Sequence, residues 1–357
     1  MRTLPILDAE RPVAYYVGHH DPNAVSRALR LAPYLPPNSL YLTASADVQE
    51  RLDAAALPTQ TIGVANSSSI AGGPATRPEQ LLHNWAAHHR STLTLCDAPF
   101  EYATSVRALP NLVRVRRPGY EAEDRLHRQY GNATWVLSPY ASWLESDQVP
   151  AWLRAKTYYT GCLPDPAHRP GERAAARKAC GFAPDKQYIV LLKAGRHGSF
   201  SLPQLTRAAR HVPQYEWVRL GPVAHTRDPL PTNLHQVGMV PDPHTYLRAA
   251  DLIVSDADEG VVHRVAACGA PLVCIPEPDA RHAQHTHAHA LRKRGMALSY
   301  DTFPQAFEWP GILRRAAKLS SMGWAGFYCS DPKQRIYEFL RQFQQPDIRQ
   351  NSVSRAS

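Results

Sequence analysis

The chain has 357 residues, 40 Lys plus Arg against 31 Asp plus Glu for a formal charge of +9, and 44% hydrophobic residues. That length serves two domains, each with its own core, and the absence of any run of about 18 apolar residues excludes a helical membrane span. The basic excess suits an anionic ligand or surface, but it is spread along the chain without interleaved aromatics, which argues against a nucleic-acid-binding module.

Val13 to Val17 reads as the first strand, Gly18 to Asn23 as the loop after it, and Ala24 to Leu35 as an amphipathic helix ended by Pro36 and Pro37. Ser39 to Thr43 is the second strand. Residues 66–78, rich in Ser, Gly, Ala and Pro, read as a surface loop before a helix over Glu79 to Arg90. Leu93 to Cys96, Leu112 to Val115, Thr134 to Leu137 and Tyr158–Tyr159 supply further strands. Prolines 164, 166, 170 and 184, set among charges, predict a linker over 162–186.

Tyr188 to Leu192 opens a second α/β half, followed by Lys193 and a Gly195-x-x-Gly198-Ser199 turn. Backbone amides there can approach a diphosphate, with Arg196 adding charge, although an ordinary strand-to-helix turn has the same form. Leu252-Ile253-Val254 is a buried strand, Ser255 to Gly260 a tight turn, and Val261, Val262, Val265 and Cys268 share one helical face that Gly269 and Pro271 end. Leu272 to Ile275 is the next strand, completing a βαβ unit of a parallel sheet. Ligands of such sheets sit off the strands' carboxyl ends at helix amino termini, so Asp258 to Val261 is the first place to look for an anion. After Pro304 the pattern is helical, and the tail beyond Pro346 is polar.

The series Val237-Gly238-Met239-Val240, Ala250-Asp251-Leu252-Ile253-Val254-Ser255, Gly269-Ala270-Pro271, Pro276, Gln284, Gly295 resembles the donor-binding half of nucleotide-sugar glycosyltransferases of GT-B fold. It is most similar to the N-acetylglucosaminyltransferases of peptidoglycan-precursor synthesis and their bacterial relatives. The resemblance implies two Rossmann-like α/β domains facing a cleft: 1–161 for the acceptor, linker 162–186, and 187–331 for the donor. It also implies a helix over 332–345 packed back on the first domain, with a tail over 346–357.

The resemblance further implies a nucleotide-diphosphate sugar as co-substrate, with no cofactor and no metal. Its donor contacts fall on Gly195, Arg196, Gly198, Ser199, Val240 (which reads equally as a strand-end core valine), Asp258, Glu259, Gly260, Val261, Arg264 and Gln284. Three positions depart from the pattern. Asp258-Glu259 replaces a glycine turn over the diphosphate, where carboxylates repel phosphate. Arg264 replaces a ribose-binding glutamate, and arginine accepts no hydrogen bond, though it can pair with Glu259 or a phosphate.

Asn23-Ala24 stands in place of a Gly-His pair. His19 or His20, a few residues earlier, is then the candidate base, with Asp97 as orienting carboxylate and Glu101 in reserve. Asp21, Asn23, Glu101 and Arg116 are the candidate acceptor contacts, and Arg117 stands beside Arg116. His285 and His289, four apart, have zinc spacing but no third ligand in the pattern.

The expected activity is inverting, metal-independent sugar transfer. A nucleotide-sugar epimerase and a catalytically inactive binding or partner protein of the same fold are the alternatives. Six cysteines with no C-x-x-C pair, and no export signal at the start, suit the reducing cytoplasm, with peripheral membrane association left open.

Overall fold

The computed structural model describes residues 12–19, 21, 23–62, 78–98, 109, 111–119, 121–166, 171–193, 200–277, 283–319 and 321–343. The predicted loop over 66–78 lies almost wholly outside them.

Thirteen strands form two all-parallel sheets among the described residues. The first comprises β1 (Val13–Val17), β2 (Ser39–Thr43), β3 (Thr59–Thr61), β4 (Leu93–Asp97), β5 (Leu112–Val115), β6 (Trp135–Ser138) and β7 (Thr157–Tyr159), in the order β3-β2-β1-β4-β5-β6-β7. The second comprises β8 (Gln187–Leu192), β9 (Tyr215–Leu220), β10 (Leu234–Gly238), β11 (Leu252–Ser255), β12 (Leu272–Cys274) and β13 (Ala297–Ser299), in the order β10-β9-β8-β11-β12-β13. The expected pair of Rossmann-like α/β halves is what the chain adopts.

Helices α1 (Ala24–Leu31), α2 (Ala46–Asp53), α3 (Pro78–His88), α4 (Glu123–Tyr130) and α5 (Ala151–Ala155) belong to the first sheet. Then follow α6 (Arg173–Ala179), α7 (Leu202–His211), α8 (His244–Ala249), α9 (Glu259–Cys268), α10 (Ala283–Lys293), α11 (Trp309–Ala316) and α12 (Pro332–Arg341).

Parallel strands covered on both faces read as continuous apolar runs, and β1 shows why. Val13, Tyr15 and Val17 enter one buried cluster with Ala24, Ala28 and Leu31 of α1, while Ala14 and Tyr16 enter another with Leu82, Trp85 and Ala86 of α3. Ile336, Phe339 and Leu340 of α12 pack into the first of these clusters.

Two differences from the sequence reading concern boundaries. Helix α1 ends at Leu31 and tightens into a 3-10 turn over Ala32–Tyr34, because Pro33 cannot continue the α pattern. The stretch read as a plain linker contains α6, which docks on the second sheet. Arg177 Nη2 meets Asp251 Oδ2 at 2.5 Å, Arg173 pairs with Asp251 Oδ1, and Asp251 Oδ2 also accepts from Tyr188 N at 2.7 Å. The chain crosses back beside that segment, where Cys162 and Tyr328 form an isolated parallel bridge. Gly269 ends α9 as its position predicts, with φ at 66° in the left-handed region that favours glycine.

Candidate active site between the two sheets

Each sheet has a point where its winding reverses, between β1 and β4 in the first and between β8 and β11 in the second. Loops leaving the carboxyl ends of such strands diverge and leave a crevice for ligands. Here the two crevices face each other, and side chains from one fill the other.

Arg27 of α1 is the centre of that contact and is 2% exposed. Its Nε and Nη2 grip Asp97 Oδ2 and Oδ1 at 2.8 and 2.7 Å, Nη2 also reaches Asp21 Oδ2 at 2.6 Å, and Nη1 crosses to Glu259 Oε2 at 2.7 Å. Arg30, one turn on, pairs with the other Glu259 oxygen. Asn23 donates from Nδ2 to Asp258 Oδ2 at 2.9 Å, a second bridge between the halves. Arg117 adds a looser contact to Asp21 at 3.7 Å.

Burial disfavours every charge in this cluster, and the balance differs at each carboxylate. Burial works against ionised Asp21, but Arg27 and Arg117 outweigh it and hold the carboxyl well below its usual range. Glu259, likewise buried, is held low by Arg27 and Arg30. At Asp97 and Asp258 burial wins and the pKa rises. His287 of α10, buried beside Glu259, is pushed down by burial and places Nδ1 at 3.1 Å from the Ala257 carbonyl.

The turn from β11 into α9 was expected to offer free amides to a diphosphate, and in this state it does not. Asp258 Oδ1 accepts from Gly260 N at 2.9 Å, so the helix is capped by its own side chain. A Cβ built on Gly260 would stand 2.7 Å from Asn23 Oδ1 and 3.4 Å from Arg264 Nη1. Nothing the size of a phosphate fits above that glycine while the halves are closed. Ala257, in the same turn, takes a φ of 61°, a backbone conformation costly for a residue with a Cβ.

Several residue roles expected from the sequence are therefore corrected. Asp258 and Glu259 do not line an open concavity; they are tied to Asn23, Arg27 and Arg30. Glu259 does not pair with Arg264, whose Nε is buried with no partner among the described residues. Among the described residues Asp97 orients no histidine: its oxygens go to Arg27 and to the Tyr15 hydroxyl at 3.5 Å.

The candidate acceptor contacts are also committed elsewhere. Asp21 and Asn23 belong to the interdomain contact just described. Arg116 is buried against Glu145, the Tyr140 hydroxyl at 2.7 Å and the Gly119 carbonyl at 2.9 Å, which leaves it an element of the first domain's interior. Val261 is a core residue, and Val240 packs partly buried against the same core cluster. His19 is exposed at the carboxyl end of β1. His20, Glu101, Gly195, Arg196, Gly198 and Ser199 lie outside the described residues.

Gln284 stands in the first turn of α10, where its Oε1 accepts from Glu277 N at 2.7 Å and its Nε2 donates to Asp256 Oδ2 at 3.1 Å. The amide is thereby fixed beside the ends of β11 and β12, and its second N–H and lone pair have no partner among the described residues. Alongside, a cavity of about 480 Å³ opens between the halves, lined by Trp143, Glu145 and Asp147 on one side and by His285, His289 and Lys293 on the other. Arg27 and Arg30 were not singled out from the sequence. Their signal was present: Ala24, Arg27, Ala28 and Leu31 follow the i, i+3, i+4, i+7 spacing of a buried face, so Arg27 interrupts an otherwise apolar stripe.

Comparison with known proteins agrees with this fold. Residues 223–303 match the glycosyltransferase family 28 C-terminal domain. No curated protein sequence matches the chain. Among solved structures, MurG of Acinetobacter baumannii is similar at 15% identity and a TM-score of 0.61, over 93% of this chain and 99% of that one. Anabaena Alr3699/HepE, solved in complex with UDP, is similar at 13% identity and a TM-score of 0.64, over 93% and 100%. The spinosyn rhamnosyltransferase SpnG, complexed with thymidine diphosphate, is similar at 14% identity and a TM-score of 0.59, over 94% and 100%. The chain thus has the two-domain GT-B fold, and residues 223–303 of its second half match the family 28 C-terminal domain.

Proposed function

We propose that this chain is an inverting glycosyltransferase, working in the cytoplasm without a metal cofactor, that moves a sugar from a nucleotide-diphosphate sugar to an acceptor held by the first domain. The observation that carries this reading is Gln284. It lies on the segment continuous with β11 and β12 of the family-matched domain, and Asp256 and Glu277 N hold its amide at the carboxyl ends of those strands. An amide fixed there donates to one sugar hydroxyl and accepts from another. Solved relatives hold UDP and thymidine diphosphate, which supports a uridine or thymidine donor.

In this reading the halves part to admit the donor and close again. Closure excludes water and limits donor hydrolysis. The amino terminus of α10, where Gln284 stands, stabilises the leaving diphosphate. His19, at the end of β1, takes the acceptor hydroxyl proton as the anomeric carbon gains oxocarbenium character on the opposite face.

The reading is tested by incubating the protein with UDP- and TDP-sugars and measuring nucleoside diphosphate release. Release is expected with at least one donor, and at a rate about tenfold or more lower in Gln284→Ala. A donor consumed at equal rates by both proteins would remove Gln284 from the site.

One observation favours a second reading, a GT-B protein that binds a partner and transfers nothing. The turn that serves phosphate in similar proteins is filled by Asp258 and Glu259, both tied to the opposite domain. A thermal-shift panel separates the two: stabilisation by a nucleoside diphosphate supports the transferase, and none by any supports the inactive protein.

A further inference from the structure

Arg30 is 1% exposed, yet among the described residues its guanidinium has one partner, the Glu259 carboxylate, and its Nε is buried with none. A guanidinium carries five N–H donors, and a buried donor left unpaired is costly. Arg27 differs, since Asp97 and Asp21 already hold three of its N–H bonds and only Nη1 serves Glu259. When the halves separate, Arg27 loses Glu259 but keeps Asp97 and Asp21, whereas Arg30 loses its one partner. What remains on the first domain is an under-satisfied cation facing the turn into α9.

Glu259 presents two oxygens to two arginines, one to each. That is the arrangement in which arginine pairs grip phosphate, which offers more acceptor oxygens than a carboxylate does. We propose that Glu259 is a built-in occupant of an anion subsite formed by Arg30 with Arg27, and that a pyrophosphate group enters by displacing this carboxylate as the domains part. The inference rests on reading the cleft as the donor site, and it gives that site a self-inhibited resting state. The ligand must compete with a tethered anion, so its apparent affinity is reduced by the fraction of molecules that are open. A free donor therefore meets a closed cleft unless its diphosphate outbids Glu259.

The test is calorimetric titration of inorganic pyrophosphate, which has neither base nor sugar, into three proteins. Wild type binds weakly, Glu259→Gln binds about tenfold tighter or more, and Glu259→Gln with Arg30→Met returns to the wild-type value or below. Equal affinity in wild type and Glu259→Gln overturns the proposal, as does tight binding that persists without Arg30. Should Glu259→Gln fail to fold, wild type is compared with Arg30→Met, where loss of pyrophosphate binding supports the subsite and unchanged binding overturns it. Parallel titration with UDP and TDP distinguishes the two claims. Nucleotide binding with pyrophosphate affinity indifferent to Glu259 removes the inhibitory role and leaves the donor reading standing. The expected pyrophosphate pattern with no nucleotide binding does the reverse.

Discussion

Asn23 and Asp258, 235 residues apart in the chain, meet at 2.9 Å between the two sheets. Asn23 ends the loop after β1 and Asp258 caps α9, so one hydrogen bond joins the point where the first sheet reverses its winding to the same point in the second. The ion pairs of Arg27 and Arg30 to Glu259 lie beside it. The crevice used for ligands in this architecture is, at rest, a contact between protein groups.

The closeness of that contact is testable at Gly260. Alanine is the better helix former by about 1 kcal/mol, so Gly260→Ala would favour α9 were the two halves independent. Its Cβ would stand 2.7 Å from Asn23 Oδ1, and overpacking of this kind costs about 1–3 kcal/mol. Chemical denaturation is expected to show Gly260→Ala destabilised in the wild-type background and neutral or stabilised when Asn23 is also alanine. Additive effects of the two substitutions would mean the halves do not touch there.

Arg27 should be the most sensitive position in the interface. Arg27→Met leaves Asp21, Asp97 and Glu259 buried without their shared cation, and breaking a buried ion pair from one side costs about 3–5 kcal/mol. Urea unfolding followed by circular dichroism measures this. A loss under about 1 kcal/mol, ordinary for an exposed pair, would contradict the burial of the cluster.

The pH dependence of the latch has a definite sign. Glu259 is held below its usual pKa, so its contribution is present above the unfolded value near 4.3 and is lost as pH falls through the depressed one. Glu259→Gln has no such term. The stability difference between wild type and Glu259→Gln should therefore be constant above about pH 5.5 and shrink on acidification below about pH 4. Asp97 and Asp258, raised chiefly by burial and in smaller part by the Glu259 charge, have the opposite sign, and only the part that burial sets cancels between the two proteins. A difference that grows on acidification would contradict the assignment.

Asp251 tests the docking of α6 apart from the cleft. It pairs with Arg173 and Arg177 and accepts from Tyr188 N, and charged hydrogen bonds of this kind contribute about 1.5–3 kcal/mol each at most. Asp251→Ala should lower stability and speed amide exchange in Arg173–Ala179, with no change in pyrophosphate affinity. Unchanged exchange there would show that α6 is held by other contacts.

Much of the architecture was legible because it is written locally. Val13–Val17 and Leu252–Ser255 are apolar runs of strand length, and Gly269 closes α9 with the φ that its position after the last periodic residue requires. Helix α6 escaped because its short Ala-Arg pattern sits among prolines and charges and gains its stability from Asp251, 74 residues away from Arg177. The site was harder still. Asp258 and Glu259 were visible as acids where phosphate contacts belong, but their partners Asn23, Arg27 and Arg30 lie more than 200 residues earlier, and a pairing at that separation leaves no periodicity to read. The one local clue was an arginine on the buried face of α1.

Equilibrium titration of the intact protein with UDP and with TDP tests most directly whether the cleft is a donor site. The account predicts saturable binding of at least one of them at one site per chain, tighter in Glu259→Gln than in wild type. Absence of saturable binding by either nucleotide up to about millimolar concentration, in wild type and in Glu259→Gln alike, would contradict it.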